Sequence, residues 1–392
     1  MPPRLTRFTC VMTSDTKSTM CRSVEFGLRL VGIWPGTSMS RKFSYIALMA
    51  LFQIFQYRYL IAHFGEHDIS LLMDVLSAAM VYSLLLIKLI ILTSKARLLD
   101  EIIACSIEDW KERDTSDEHA MVRMTYAARR FSNLIIFSNA ISVIFYATGT
   151  LMWHQDDNRT YNRELFLKMD LPFHVESRSV YIAVLVTQFI HQISAASILG
   201  VLDSLLLTLV LHVCGQIDSV QHKLSAITRK DIERDACGSI VKMLIIRHQR
   251  IIAFSKNIEV LFSNIALIQF LSNTLIICCL GFLIVISIDL PNGSTILVKS
   301  VLFYVGVSIQ AFTFCFVGEY LSSKSKMIGD AAYEALWYDL KPNQNRDLFF
   351  MIVRSQKHLT LTAGKFVVLS LKQFGNIVKA SASYVSVLHA MY

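Results

Sequence analysis

Residues 71–93 read LLMDVLSAAMVYSLLLIKLIILT. Twenty-three residues carry only two charges, Asp74 and Lys88, and no Gly or Pro interrupts them. A helix rises about 1.5 Å per residue, so about 20 apolar residues cross a hydrocarbon core roughly 30 Å thick. The stretch therefore reads as a membrane span. Six more runs of the same kind lie along the chain: Phe43–Phe64, Phe131–Trp153, Ser179–Val213, Ile258–Ile288, Ile296–Val317 and Phe366–Met391. The fourth and fifth runs in chain order are longer than a bilayer needs, which predicts tilt or extension beyond it. The last is the least apolar, because it holds Lys372 and Lys379.

Composition agrees with the runs. The 392 residues are 54% hydrophobic and 17% charged, with a mean hydropathy of +0.47. Soluble domains average roughly 45–50% apolar and about 25% charged. So large an apolar share excludes an ordinary soluble enzyme, a disordered chain and a secreted disulfide scaffold. The expected fold is all-α, a seven-transmembrane helix bundle. The first 40 residues are basic and polar, with no apolar run before a small-residue cleavage site, so the first span is expected to act as its own insertion signal.

The connecting segments carry unequal charge. Residues 1–42, 95–130, 214–257 and 318–365 share one side and hold 29 Lys and Arg; 65–70, 154–179 and 287–300 share the other and hold 5. Positive charge stays cytoplasmic, which predicts an inverted topology with the N-terminus inside. The two N-x-S/T sequons, at Asn158 and Asn292, both fall on the predicted outer side, where glycosylation is possible. The eight cysteines, at 10, 21, 105, 214, 237, 278, 279 and 315, all lie on the inner side or within spans. They read as reduced thiols acting as small apolar residues.

Known site chemistries are sparse. No nucleotide-binding glycine motif and no catalytic pair or triad is visible, so neither enzyme nor cofactor is expected. His63 and His67, spaced i,i+4, read as hydrated loop residues rather than a metal site. Asp74, Lys88 and Asp203 lie within spans, where a charge is a functional hypothesis by default. For Asp74 and Lys88 the simpler reading is a position near a span end; for Asp203, the point where a long helix leaves the lipid. A G-protein-coupled receptor would place its N-terminus outside, and no Asp-Arg-Tyr or Asn-Pro-x-x-Tyr motif is present. No internal repeat supports a transporter. On the inner side, Leu98, Leu99, Ile102, Ile103, Ile107 and Trp110, then Ile217, Val220, Leu224 and Ile227, recur at helical spacing. They predict spans that continue into a packed cytoplasmic bundle, with subunit contact and packing within one subunit both open.

The C-terminal run carries the most specific pattern. Lys372, Asn376, Lys379, Ser383 and Ser386 follow one another at spacings of 4, 3, 4 and 3, which at about 100° per residue form one polar stripe. Val387 and Met391 continue it in apolar form. Phe366, Leu369, Phe374, Ile377 and Val378 fall opposite. A polar stripe within a membrane turns to water or to protein. Two readings follow: a pore lining closed by an apolar constriction that gates by dewetting, or a helix buried against its own bundle.

The residues after 310 resemble those of the insect odorant receptors. The resemblance rests on Phe314-Cys315-Phe316-Val317-Gly318-Glu319-Tyr320-Leu321, Ser325, Ala331-Ala332-Tyr333 and Trp337-Tyr338. It continues through Leu361-Thr362-Ala363-Gly364-Lys365-Phe366, Leu369-Ser370-Leu371 and Phe374 to Ile377-Val378-Lys379-Ala380-Ser381-Ala382-Ser383-Tyr384. Leu171-Pro172-Phe173 is similar to the family's outer-loop pattern. The resemblance implies a ligand-tuning subunit of an odorant-gated, non-selective cation channel, a heterotetramer formed with a shared co-receptor. It implies multi-pass insertion in the plasma membrane of olfactory sensory-neuron dendrites, and no nucleic-acid partner. The long insert that the co-receptor carries in its second cytoplasmic loop is missing, as is the Gln-Phe pair that ends the last span of gustatory receptors. A gustatory-type homomeric channel and a seven-transmembrane G-protein-coupled receptor or transporter stand as the alternatives.

The same resemblance divides the chain into a cytoplasmic N-terminus (1–42), a ligand-binding bundle (43–317), a cytoplasmic anchor joining subunits (318–365) and a pore-lining span (366–392). It places the gate at Val387 and Met391, with Ser383 and Asn376 on the conduit. Lys379 matches a basic position frequent in tuning subunits, aimed at a lateral cytoplasmic opening. The implied pocket, for a small apolar odorant or pheromone, lies in the outer half between spans 2, 3, 4 and 6. Helical spacing there picks Tyr146, Gly149 and Trp153, then Tyr181, Leu185 and Gln188, with Leu76, Met80 and Tyr304 at comparable depth.

Overall fold

The computed structural model describes residues 20–64, 69–112, 115–153, 165–175, 177–227, 237–289 and 293–391. Helices dominate: α1 Arg22–Val31, α2 Met39–Ala62, α3 Ile69–Ser94, α4 Ala96–Lys111, α5 Thr115–Trp153, α6 Arg178–Ser225, α7 Cys237–Asp289, α8 Ser294–Glu334, α9 Pro342–Ser355 and α10 Leu371–Met391. Six of them, α2, α3 and α5–α8, are long and apolar enough to cross a membrane. With α10 they form a seven-helix bundle, and the chain is a multi-pass membrane protein. Asn158, Asn292, His67 and Cys10 lie outside the described residues.

Four of the helices far outrun the apolar runs that seeded them, each at the end bearing the basic segments. α5 begins well before Phe131, α6 continues past Val213, α7 begins before Ile258 and α8 continues past Val317. The division at 317/318 thus falls inside α8 and marks depth rather than a break in the chain. The apolar faces predicted at this basic end are buried within the single chain: Leu99, Ile102, Ile103 and Trp110 on α4, and Ile217, Val220, Leu224 and Ile227 along and just beyond α6. Those faces serve intrachain packing. Burial pushes the Cys105 thiol on α4 up to about 11, and the Asp109 carboxylate adds to it, so it stays a thiol at neutral pH.

α6 is the central mast. Every residue from Ile198 to Val220 is buried, and a helix surrounded on all sides belongs to the core. Its polar residues need partners, and they find them on several neighbours. Asp203 pairs with Lys88 of α3 at 2.7 Å. The Thr208 and Ser132 hydroxyls meet at 3.3 Å. His212 and Gln216 converge on Asp109 of α4, and Asp218 takes Arg123 of α5 at 2.8 Å and Lys324 of α8 at 2.7 Å. The N-terminal segment joins this core as well. α1 buries Val24, Leu28 and Val31, and at Gly27 an added Cβ would stand 2.5 Å from the Val201 side chain.

The last helix starts at Leu371, not at Phe366. Thr362–Ala363 and Val367–Val368 pair antiparallel, because Gly364 (φ 61°) and Lys365 (φ 65°) both take the left-handed region and reverse the chain. The hairpin docks on α7 through Thr362 Oγ1, which donates to Glu259 Oε1 at 2.9 Å, and through the Gly364 amide, which donates to Ser263 O at 2.9 Å. Phe366 is exposed at its tip. Leu369 is buried where α8 offers Gly318, whose missing Cβ would lie 2.5 Å from Leu369 O. Neither Phe366 nor Leu369 belongs to a helix face.

Candidate functional site

Two features stand out in the bundle, a cavity and an outward-turned helix. The cavity has a volume of about 600 Å³ and lies between α3, α5, α6 and α8, which are spans 2, 3, 4 and 6. Each helix lines it with residues at helical spacing: Ala78, Val81, Tyr82 and Leu85 on α3; Asn139, Ser142, Val143 and Tyr146 on α5; Gln192, Ala195, Ala196 and Leu199 on α6. α8 contributes a longer face from Ser294 through Val298, Lys299, Leu302, Phe303, Gly306 and Val307 to Gln310. The wall is mainly aliphatic and aromatic with a few polar groups, the composition of small-molecule sites.

A charged pair stands near the loop end of the cavity. Lys299 Nζ meets Asp74 Oδ2 at 2.6 Å, with both side chains about a quarter exposed, and lies 4.6 Å from the centre of the Tyr146 ring. The Tyr146 hydroxyl donates to Phe166 O at 3.2 Å. Asp74 is thus half of an ion pair rather than a solitary hydrated charge. Phe166, Leu167 and Met169 are buried, so the segment before α6 folds in against the bundle.

Of the predicted pocket residues, Tyr146 stands on the cavity wall; Leu76, Met80, Tyr181, Leu185, Gln188 and Tyr304 are not among its lining. Met80 and Tyr304 pack against a cluster around Ile276, Ile277 and Val307, which adjoins the cavity wall at Val307. Gly149 and Trp153 fall on the final turns of α5; the burial of both and the Trp153 side chain lie outside what is described. Gln188 clamps the loop: its Nε2 donates to Leu167 O at 2.9 Å and its Oε1 accepts from Leu167 N at 3.1 Å. Gln188→Leu should break both bonds and strand two buried backbone groups, loosening the loop by about 1–3 kcal/mol. Hydrogen exchange at the Leu167 amide is the check, and unchanged protection would count against the clamp. Among the lining residues that the sequence reading did not single out is Gln192. The available signal was its place on one face with Ala195, Ala196 and Leu199, one turn deeper than the face chosen.

The second feature is α10. It lays Ile377 and Ser381 against the bundle, with Phe374 and Val385 partly covered. The Phe374 and Phe312 ring centres are 5.6 Å apart, and Ser381 Oγ reaches Thr274 O of α7 at 3.4 Å. Lys372, Asn376, Lys379, Ser383, Ser386 and Val387 all face away and are exposed. The hydrogen bonds along the stripe stay local: Asn376 Nδ2 donates to Gln373 Oε1 at 3.0 Å, and Ser383 Oγ donates to Lys379 O at 3.1 Å. Between the two sequence readings, burial of the stripe against its own bundle does not occur. Met391 ends the helix, and its side chain lies outside the described residues.

The family described as 7tm Odorant receptor matches residues 68–382. The chain is similar to Odorant receptor 13a of Drosophila melanogaster, at 24% identity over 93% of this chain and 94% of that protein. Odorant receptor 9a of the same species is 22% identical over 92% of each. Among solved structures, the insect olfactory receptor OR5 from Machilis hrabei superposes with a TM-score of 0.75 at 13% identity, covering 93% of this chain and 96% of that one. The same receptor in complex with eugenol gives 0.74 at 13% identity, over 94% and 97%.

Proposed function

This chain belongs to the insect odorant receptor family, and from that premise we propose that it is a ligand-tuning subunit of an odorant-gated, non-selective cation channel formed with a shared co-receptor. It is a receptor and not an enzyme. The observation that carries the reading is α10, whose polar stripe from Lys372 to Ser386 is exposed while its apolar side packs on α7 and α8. A polar face at membrane depth needs water or protein. In a tetramer, a central conduit lined by one such helix per subunit supplies the water. Asn376, Lys379 and Ser383 then face the conduit, and Val387 and Met391 close it.

The basic end is assigned to the cytoplasm by its excess of Lys and Arg. This makes the topology inverted and leaves 1–42 inside. Residues 318–365 act as the anchor. Met327, Tyr333, Tyr338, Phe349 and Phe350 are exposed there, beyond the apolar runs, and apolar surface outside the membrane favours a protein partner. Absence of a long insert between spans 4 and 5 favours the tuning role over the co-receptor role.

The cavity takes a small, mainly apolar ligand, as the eugenol complex of OR5 illustrates for that receptor. Binding opens the conduit to the extent that the open state holds the ligand more tightly. The working location is the plasma membrane of olfactory sensory-neuron dendrites. Whole-cell recording against a panel of volatiles tests the reading: inward current is expected only when the co-receptor is coexpressed. Equal current from this chain alone would favour a homomeric channel, and no current in either case would overturn the proposal.

A further inference from the structure

Gln192 is 2% exposed, it lines the cavity, and neither its Nε2 nor its Oε1 meets a hydrogen-bond partner. It is the one residue, among those described, with both side-chain polar atoms buried and unpaired. Four other polar groups of the wall have partners. Ser142 Oγ donates to Ser138 O at 2.9 Å, Tyr146 donates to Phe166 O, Lys299 is paired with Asp74, and Gln310 Oε1 accepts from Gln269 Nε2 at 3.5 Å.

Position strengthens the contrast. Gln192 lies 14 residues into α6, about 21 Å along the axis, whereas Lys299 lies only 5 residues into α8, about 8 Å along it. The carboxamide is therefore deep and the ion pair shallow. One turn further along the same face, Ala195 and Ala196 leave room beside the amide that larger side chains would fill.

Buried donors and acceptors in native proteins are almost always satisfied. A carboxamide offers N–H donors and a carbonyl acceptor together, so a ligand that satisfies both atoms must itself donate and accept. Resting on the reading of this cavity as the odorant site, we propose that Gln192 is its polar anchor and that the receptor is tuned to apolar molecules bearing a hydroxyl group. The ligand O–H donates to Oε1 and the ligand oxygen accepts from Nε2, while the aliphatic or aromatic remainder lies along Val81, Leu302 and Phe303. A hydrocarbon leaves both amide atoms unpaired. An ether or ester accepts from Nε2 and leaves Oε1 unpaired. A site built for a hydrogen-bonding group discriminates strongly against the analogue that lacks it.

The test uses the full chain in lipid nanodiscs and a matched triad: 1-octanol, heptyl methyl ether and nonane. The readout is the concentration of each that half-maximally raises the melting temperature. Wild type is expected to respond to 1-octanol at concentrations about 10- to 100-fold lower than to the other two. In Gln192→Leu the three should converge to within about threefold, and the ligand-free variant should melt no lower than wild type, because an unpaired buried amide has been removed. If the leucine variant does not fold, Gln192→Met, of nearly equal length, is read in the same way.

Equal responses to all three in wild type, which water held at the amide would produce, overturn the proposal. So does an alcohol preference that survives in the variant, or a lack of response to every member of the triad. The channel reading fails separately. If the binding preference is present but cells with the co-receptor pass no odorant-gated current, the conduit assignment falls and the anchor stands.

Discussion

Asp203→Leu alone is expected to remove most of the folded receptor from detergent extracts, and adding Lys88→Met on the same chain to bring it back. Lys88 Nζ and Asp203 Oδ1 are 2.7 Å apart, with side chains 2% and 1% exposed, in the part of the bundle where α6 is surrounded on all sides. Lys88 also sits 5.2 Å from the centre of the Phe314 ring. Removing the carboxylate leaves an ammonium ion with no counter-charge in a site that water does not reach. Breaking one side of a buried pair costs about 3–5 kcal/mol, whereas replacing both partners by apolar residues of similar size is often neutral or stabilising. Total stability is commonly only about 5–15 kcal/mol, so the single substitution removes a large share of it. Size-exclusion profiles and melting temperatures of wild type, each single variant and the double variant provide the check. A single variant that extracts as a monodisperse peak melting with wild type would show that the pair carries no such load. A double variant no better than the singles would show that the charges serve something besides each other.

The same pair shows where sequence reading reaches its limit in this protein. Spans are legible because run length against bilayer thickness is a one-dimensional property, and the separate helix α4 at the basic end is legible because Leu99, Ile102 and Ile103 alternate with charges. Lys88 and Asp203 each stood out as charges within spans, but 115 residues separate them, and only the packing of α3 on α6 joins them. The cavity face escaped for a different reason. In a span, the side toward lipid and the side toward protein are both apolar, so periodicity fixes the spacing of a face but not its direction. On α3, Leu76 and Met80 are not among the cavity lining, whereas Val81, Tyr82 and Leu85 meet the cavity. Gln188 and Gln192 lie one turn apart, and only tertiary structure gives one the loop backbone and the other the cavity. The hairpin before α10 was hidden by composition. Phe366 through Leu371 is as apolar as a helix start, and the left-handed backbone at Gly364 and Lys365 is what diverts it. On α10 itself the polar stripe was fully legible, because there the contrast with lipid is chemical rather than directional.

That stripe yields the second large effect. Serine at Val387 is expected to raise the ligand-independent current of the coexpressed channel about tenfold per copy of this subunit, relative to the maximal evoked current. Val387 is 58% exposed and continues, at its far end, the exposed face that holds Lys379 and Ser383. In the proposed tetramer the valines meet at a constriction that stays closed because apolar walls shed water. Exchanging an isopropyl group for a hydroxymethyl removes about two apolar carbons from each wall. At about 0.8 kcal/mol for each carbon, the wet state gains about 1.4 kcal/mol or slightly more per copy, and 1.4 kcal/mol is a factor of about ten in a two-state equilibrium. Val385→Ser is the matched control. Val385 turns the other way, with its Cγ2 2.8 Å from where a Cβ at Gly281 of α7 would stand, so its loss should weaken packing and lower expression without adding leak. Basal current is isolated by subtracting the current that remains under a cation-channel blocker, and both variants are compared at equal surface expression. A Val387→Ser channel as tight as wild type, together with cysteines at 383 and 387 that never react with a charged thiol reagent during conduction, would place α10 away from the water path. Its polar face would then have to be covered by a neighbouring subunit, and the dewetting gate would have to be sought on another helix.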